Sequence, residues 1–318
     1  MPKLNVQQNN ANVIKALRNA LAIGQIKGPI ASDGNDNFST AGSNPNLLDN
    51  AYFVGGGSQL GDGNFPINQR GQSSYASDGP GIDRWKQFAA TVTLSSDGVT
   101  VTPSAYSNNF LQLMNPAKWN ALVGETVTLS IEVLAVTGTI TVAGYNTGLG
   151  TITSTGIAAF TFTMPSGIAD GNKFFGIAGQ NGSSIKFGRW KLEKGTVSTL
   201  ANDAPPDFGE ELQKCQHYLY AVTFPGYVFT GQICLALDTQ NINWNLITPV
   251  PMVQNRLPSI TASNSLNTNG VAISGLTSVN YPFGNNVKIS GQASGLTAGQ
   301  LYAITTAAEV KVLISTEL

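Results

Sequence analysis

The stretch ETVTLSIEVLAV, Glu125 to Val136, decides the fold. Its apolar residues Val127, Leu129, Ile131 and Val133 fall at every second position, with Thr, Ser and Glu between them. Side chains alternate across a strand, so a period of two describes a strand with one face in a core. Working outward, TGTITVAGY (137–145), GIAAFTFTMP (156–165) and SSIKFGRWKLEKG (183–195) follow as further strands punctuated by Gly. Upstream, KQFAATVTL (86–94) runs through Asp97-Gly98 into VTVTP (99–103), which is a hairpin signal. Short strands joined by Gly turns, with hardly a helix among them, specify an all-β fold, a sandwich or jelly roll.

The totals agree. A chain of 318 residues has room for two domains. Charged residues are 11% of it, far below the usual quarter or so, and Gly, Ser, Thr and Asn take their place. The surface is therefore hydroxyl and amide. The net charge of −1 gives no field to draw in nucleic acid or an anionic membrane, so neither is expected as a partner. No apolar run approaches the roughly 20 residues of a membrane span, and no membrane insertion is expected. The opening MPKLNVQQNN lacks the ordered basic, apolar and small-residue regions of a signal peptide, which predicts a product made in the cytoplasm. Cys215 and Cys234 are read as two buried free thiols rather than a bridge.

One helix is predicted, over VQQNNANVIKALRNALAI (6–23), where Val13, Leu17, Ala20 and Leu21 form an apolar stripe and Gly24 is the stop. A helix this short needs a partner for its stripe. Residues 1–28 are accordingly an N-terminal helical anchor, with Val13, Leu17 and Leu21 as anchor or oligomer contacts. Residues 29–45, rich in Gly, Ser, Asn and Asp, read as a linker. A β domain follows over 46–200. A second linker over 201–211 contains Pro205-Pro206 and carboxylates able to start a short helix. A second β domain occupies 212–318.

Catalytic chemistry is sparse. His217 is the single histidine, in the aromatic run HYLY, and reads as structural. No Cys/His cluster has zinc spacing. Asp62, Asp78, Asp83, Asp97, Asp170 and Asp238 stand mostly beside Gly or in turns, where Asp is favoured for backbone reasons. GGGSQLGDG (55–63) lacks the Lys-Ser/Thr and the helix of a phosphate loop. No enzyme activity, cofactor or metal is expected. What remains is aromatic and amide chemistry, which suits sugars: rings stack on aromatic faces, and hydroxyls are met by amides. Trp85 and Trp190 lie in strand patterns and read as core. Trp119 in NPAKWNAL and Trp244 in NINWNL are flanked by Asn, which leaves both core and exposed placements open. The glycan-binding candidates are Trp119, Trp244, Asn243, Asn245 and Tyr281.

An ordered set of motifs adds a resemblance. NPNLLDNAYF (44–53), PINQRGQ (66–72), GIDRWK (81–86), KLEKGTVSTL (191–200) and ELQKCQHYLY (211–220) occur in that order, followed by FPGYVF, TPVPM and a terminal TEL. The set resembles the receptor-binding or fibre proteins of tailed bacteriophages and related prophages, over roughly Asn44 to Leu318. The resemblance implies a carbohydrate-binding-module-like jelly roll, then a distal C-terminal β-sandwich domain. It also implies a homotrimer in the virion, anchored to other virion proteins through its N-terminus, that binds host cell-surface glycan. The alternatives are a decoration or head-fibre protein without a receptor role, and a polysaccharide depolymerase. Two departures stand out: GGGSQLGDGNF is inserted between the first two motifs, and His217 replaces the usual Arg before Tyr218. The calcium that often staples the first and last strands of such modules is not expected here, because Val54 replaces the usual Glu after Phe53 and Glu193 stands alone. Arg70, Asp83 and Arg84 are expected to brace a shaped loop, with Trp85 as its packing anchor.

Overall fold

The computed structural model describes residues 30–32, 38–40, 44–57, 63–226, 229–252, 257–268, 270–278 and 285–317. The expected N-terminal helix, with Val13, Leu17 and Leu21, lies outside them, as does Tyr281. Within the stretch read as the first linker, Ile30–Ser32 pairs antiparallel with Phe38–Thr40.

Alternation in the sequence becomes two six-stranded antiparallel sheets in the first β domain. The back sheet holds the stretch that opened the sequence reading. Its order is Gly156–Thr163, Thr126–Thr137, Ser184–Lys194, Gly98–Pro103, Ala90–Ser95, Ser74–Tyr75. The front sheet runs Thr147–Ile152, Ile140–Gly144, Phe174–Gly179, Phe110–Leu113, Lys86–Gln87, Gly79–Pro80. Val127, Leu129 and Ile131 of the back sheet share one buried cluster with Phe110, Phe175 and Ile177 of the front sheet, so the sheets face each other as a sandwich. At its centre Trp85 stacks on Phe110 with centroids 4.7 Å apart and meets Trp190 edge-on at 5.2 Å. Both tryptophans are fully buried, as their strand patterns predict.

The segment that enters the first sandwich is held by hydrogen bonds to its last strand, Ser184–Lys194. Leu47 N–H donates to Leu192 O at 2.8 Å, and the Asn46 amide reaches Trp190 O at 2.8 Å. Residues 195–203 then lie over the outer face of the back sheet. Thr128 Oγ1 donates to Gly195 O and Ser130 Oγ to Ser198 Oγ, at 2.8 and 2.7 Å. Lys191 is sealed beneath this segment. Its ammonium donates to Asp203 at 2.6 Å and Thr199 Oγ1 at 2.8 Å, and lies 3.7 Å from the buried Glu193. Glu193 is itself saturated by the backbone N–H and hydroxyl of Thr199. The carboxylate that the resemblance would offer to a stapling ion thus sits beside a side-chain ammonium.

A helix, Phe208–Gln216, joins the two β domains, capped by Asp207, whose side chain accepts from Glu210 N–H at 2.9 Å. The expected boundary between 211 and 212 therefore falls inside this helix, and the carboxylates of the linker stand in its first turn. Cys215 and Leu212 pack with Phe65, Ile67 and Phe208 in a small apolar cluster of their own. Beyond it a three-stranded sheet (Leu219–Phe224, Val310–Ser315, Ser259–Ala262) faces a seven-stranded one. The order of the latter is Val271–Ala272, Leu266–Thr268, Leu301–Thr306, Phe229–Ala236, Asn241–Ile247, Asn286–Gln292, Ser274–Ser278. Ile260, Val312 and Ile314 meet Ile242, Trp244 and Ile289 in the second core. Cys215 and Cys234 are both buried and free. Among the described residues no helix is long and apolar enough to cross a membrane.

Removing the buried ammonium should expose how much the covering segment depends on it. Lys191→Met removes the ammonium that Asp203 and Glu193 share, and a broken buried pair costs about 3–5 kcal/mol. The expected outcome is a urea midpoint lowered accordingly in circular dichroism, and an unchanged midpoint would contradict this assignment.

Candidate functional site

Trp119 and Trp244 require a correction: both are buried, and neither offers a ring face to a ligand. Trp119 belongs to a five-residue helix, Pro116–Asn120, and stacks on Phe175 with centroids 5.4 Å apart. The Asn before it is a helix cap, accepting from Ala117 N–H at 2.9 Å. Trp244 points into the second core while Asn243 and Asn245 occupy the opposite face of the same strand. Asn245 is exposed and Asn243 half-buried, 243 pairing with Leu235 and Ser290 on the neighbouring strands. The candidate residues are therefore not brought together.

Four motifs of the resemblance, NPNLLDNAYF, PINQRGQ, GIDRWK and ELQKCQHYLY, meet Glu317 at the junction between the sandwiches. Asn50 is a hub. Its side chain takes Ile67 N–H and donates to Ile67 O and Asp83 O, and its carbonyl accepts from Trp85 Nε1 at 2.9 Å. Gln69 crosses the boundary. Its amide donates to Asp83 Oδ2 and to Leu219 O, both at 2.7 Å, and accepts from Ala221 N–H at 3.2 Å. The side chain thus occupies the open edge of the three-stranded sheet, as a neighbouring strand would. Arg70 donates to Glu317 at 2.5 Å and to Gly81 O at 3.1 Å. Arg84, at a left-handed φ of 72°, presents its own N–H to Glu317 at 2.7 Å. Its guanidinium stacks over Tyr218 at 3.5 Å and bonds Asp49 at 3.3 Å. The last described residue, Glu317, is thereby fastened to the first sandwich.

Asp83 is wholly buried here. Burial, and then the neighbouring Glu317 carboxylate, push its pKa up to about 7, against the pull of Arg70 and Gln69. Asp49 goes the other way: Arg84 and Lys118 overcome its burial and hold it below the usual carboxylate range. Burial raises the Cys215 thiol well above its ordinary value, so it is no nucleophile. Every charge at the junction is paired or bonded, which is the condition of a structural clamp. A depression of about 240 Å³ beside it, between the first sandwich and residues 200–214, is lined by Arg189 and Lys214. These are engaged by Glu132 and Glu211.

A different place is shaped for a ligand: the outer face of the front sheet. Strand register puts Lys86, Leu111, Gly176 and Ala143 in one row across four strands, with Leu113 and Phe174 paired in the next. Leu111, Ala143 and Phe174 form a buried apolar floor with Phe88 and Leu113 against it. Gly176 makes the floor possible, since a Cβ there would stand 2.6 Å from Leu111 Cβ and from Phe110 O. Two adjoining depressions of about 470 and 290 Å³ open on this floor and share Ser107, Asn108 and Asn146. Asn172 lines the larger, and Tyr106, 58% exposed, lines the smaller. An apolar base with convergent amides and hydroxyls is the composition of a small-molecule site.

None of these groove residues was singled out in the sequence. KQF (86–88) already placed Lys86 and Phe88 on one face, but FLQL and FFGIAG are apolar at nearly every position and hide which face is which. No protein-family model matches this chain, and no curated protein matches it in sequence.

The junction has a pH signature. Because the folded pKa of Asp83 lies above its ordinary value of 3.8, the native state holds a proton that the unfolded chain releases. Its contribution to stability is complete below about 4 and is lost as pH rises through about 7. Melting temperature should therefore fall between pH 5 and pH 8, and Asp83→Asn should flatten that slope. A slope that survives the substitution would assign it elsewhere.

Proposed function

We propose that this chain is a fibre protein of a tailed-bacteriophage virion, whose first sandwich is a carbohydrate-binding jelly roll that holds host surface glycan without cleaving it. The observation that carries this reading is the front-sheet groove. Sugar rings present C–H faces that suit Phe88 and Tyr106, and hydroxyls that suit the amides of Asn108, Asn146 and Asn172. No carboxylate lines either depression among the described residues, so the groove lacks the paired acids of glycoside hydrolysis. The motif order supports the family, and the meeting of four of those motifs with Glu317 in one junction gives these a common purpose: they hold the two sandwiches together.

Copies associate in this reading through the outer face of the seven-stranded sheet, as a homotrimer. Ile233 and Leu235 face outward there beside their register partners Ala303 and Leu301, with Leu237 next along. Ile233, Leu301 and Ile247 are 55%, 68% and 72% exposed. Large apolar side chains exposed side by side mark an interaction surface. Three copies present three grooves together, and weak single-site binding becomes tight attachment through effective concentration. The N-terminal segment then joins the fibre to other virion proteins.

Two experiments test this. Purified chain should compete with phage for host cells and be retained by the surface polysaccharide without shortening it, whereas Asn108→Ala with Asn172→Ala should lose retention and keep the native circular-dichroism spectrum. Shortened polysaccharide would favour the depolymerase, and absence of retention would favour a decoration protein. In sedimentation equilibrium the chain should have the mass of three copies and Leu235→Glu that of one. A monomeric wild type would overturn the assembly.

A further inference from the structure

Resting on the groove as the saccharide site, we infer that its larger depression selects a sugar that carries a methyl group, a 6-deoxyhexose or an N-acetylated amino sugar. The two depressions differ in what lines them. The larger has a carbon floor, where half-buried Phe88 and Leu113 pack against buried Leu111 and Phe174. The smaller has no aliphatic side chain larger than alanine, and Thr141, Thr147 and Tyr106 bring hydroxyls to it. Asn108 and Asn146 line both. A saccharide laid along the groove therefore meets carbon at one end and hydroxyls at the other. Lys86, the one charged side chain on the lining, is already partnered within the protein and does not decide the choice.

Discrimination turns on a single oxygen. A hexose ends in a hydroxymethyl group where a 6-deoxyhexose ends in a methyl, and an N-glycolyl group differs from an N-acetyl in the same way. Turned onto the floor, a methyl exchanges water for carbon, which is favourable in proportion to the area buried. A hydroxyl in the same place gives up its water and finds neither donor nor acceptor on the side chains of Phe88, Leu111, Leu113 or Phe174. The floor is also fixed by strand register. Leu113 pairs with Phe174 and Leu111 with Gly176, so the apolar side chains are held in place and do not turn away to admit a polar group.

Calorimetry on the full chain tests this with two matched pairs that differ only by that oxygen. One pair is an oligomer of 6-deoxymannose and one of mannose, and the other an oligomer of N-acetylglucosamine and one of N-glycolylglucosamine. In at least one pair the methyl member should bind about tenfold more tightly, on the scale by which an apolar site rejects an added hydroxyl. The pair that responds identifies which sugar brings the methyl. Saturation-transfer NMR on the wild type, which needs no variant, should place the strongest transfer on the methyl protons. Leu113→Asn should abolish the preference with a native circular-dichroism spectrum, and Leu113→Met should keep it. Tyr106→Ala should weaken both members of a pair alike, which reports on the smaller depression and not on the methyl. Equal affinities in both pairs, a preference that survives Leu113→Asn, or strongest transfer to other sugar protons would overturn the inference and leave the groove standing. If neither these probes nor any member of a panel of surface glycans binds, the groove reading fails and the inference falls with it.

Discussion

The contact on which the molecule depends is the bridge from Asp83 through the Gln69 amide to the backbone of Leu219 and Ala221. A β edge cannot be left with bare N–H and C=O groups inside a junction, because each unpaired group there costs about 1–3 kcal/mol. Gln69 meets both with one planar amide. That amide is oriented in turn by a buried carboxylate, which Arg70 approaches at 3.9 Å. The arrangement explains why the motifs around 66–72 and 81–86 combine amides, paired charges and tight turns with almost no aliphatic residues. They meet polar backbone, and they do so where water is excluded.

The clamp also explains the division of labour between faces. Gln112, on the strand that floors the groove, turns its amide to the Asp49 backbone, accepting at 2.9 Å and donating at 2.6 Å. The next residue, Leu113, gives its carbonyl to Arg84 at 3.1 Å. The same four-residue strand therefore carries Leu111 and Leu113 outward to the groove and Phe110 and Gln112 inward to the core and junction. A site built on such a strand is rigid. Rigidity reduces the ordering cost of binding a flexible saccharide.

Much of the fold was legible because alternation is local. Glu125 to Val136 reads as a strand by inspection, and Trp85 and Trp190 read as core. The tryptophans flanked by Asn were harder, and the reason is physical. On a strand, neighbours point to opposite faces. Asn243 and Asn245 therefore place Trp244 on the buried side, the reverse of the exposure that a polar neighbourhood first implies. At Trp119 the nearby Asn115 is spent on a helix cap. The junction itself was out of reach: Gln69 meets Leu219 across 150 positions, and Arg70 meets Glu317 across 247. Nothing in a one-dimensional pattern pairs them. The groove was hidden for a different cause, since FLQL and FFGIAG are apolar at nearly every position on both faces.

The most direct test of the account is hydrogen exchange on the full chain with and without the host's surface polysaccharide. Slowed exchange confined to the front-sheet segments 86–88, 107–113 and 172–176, with the polysaccharide recovered at its original length, is the predicted result. Protection centred on the second sandwich, or release of shorter saccharides during the incubation, would contradict it.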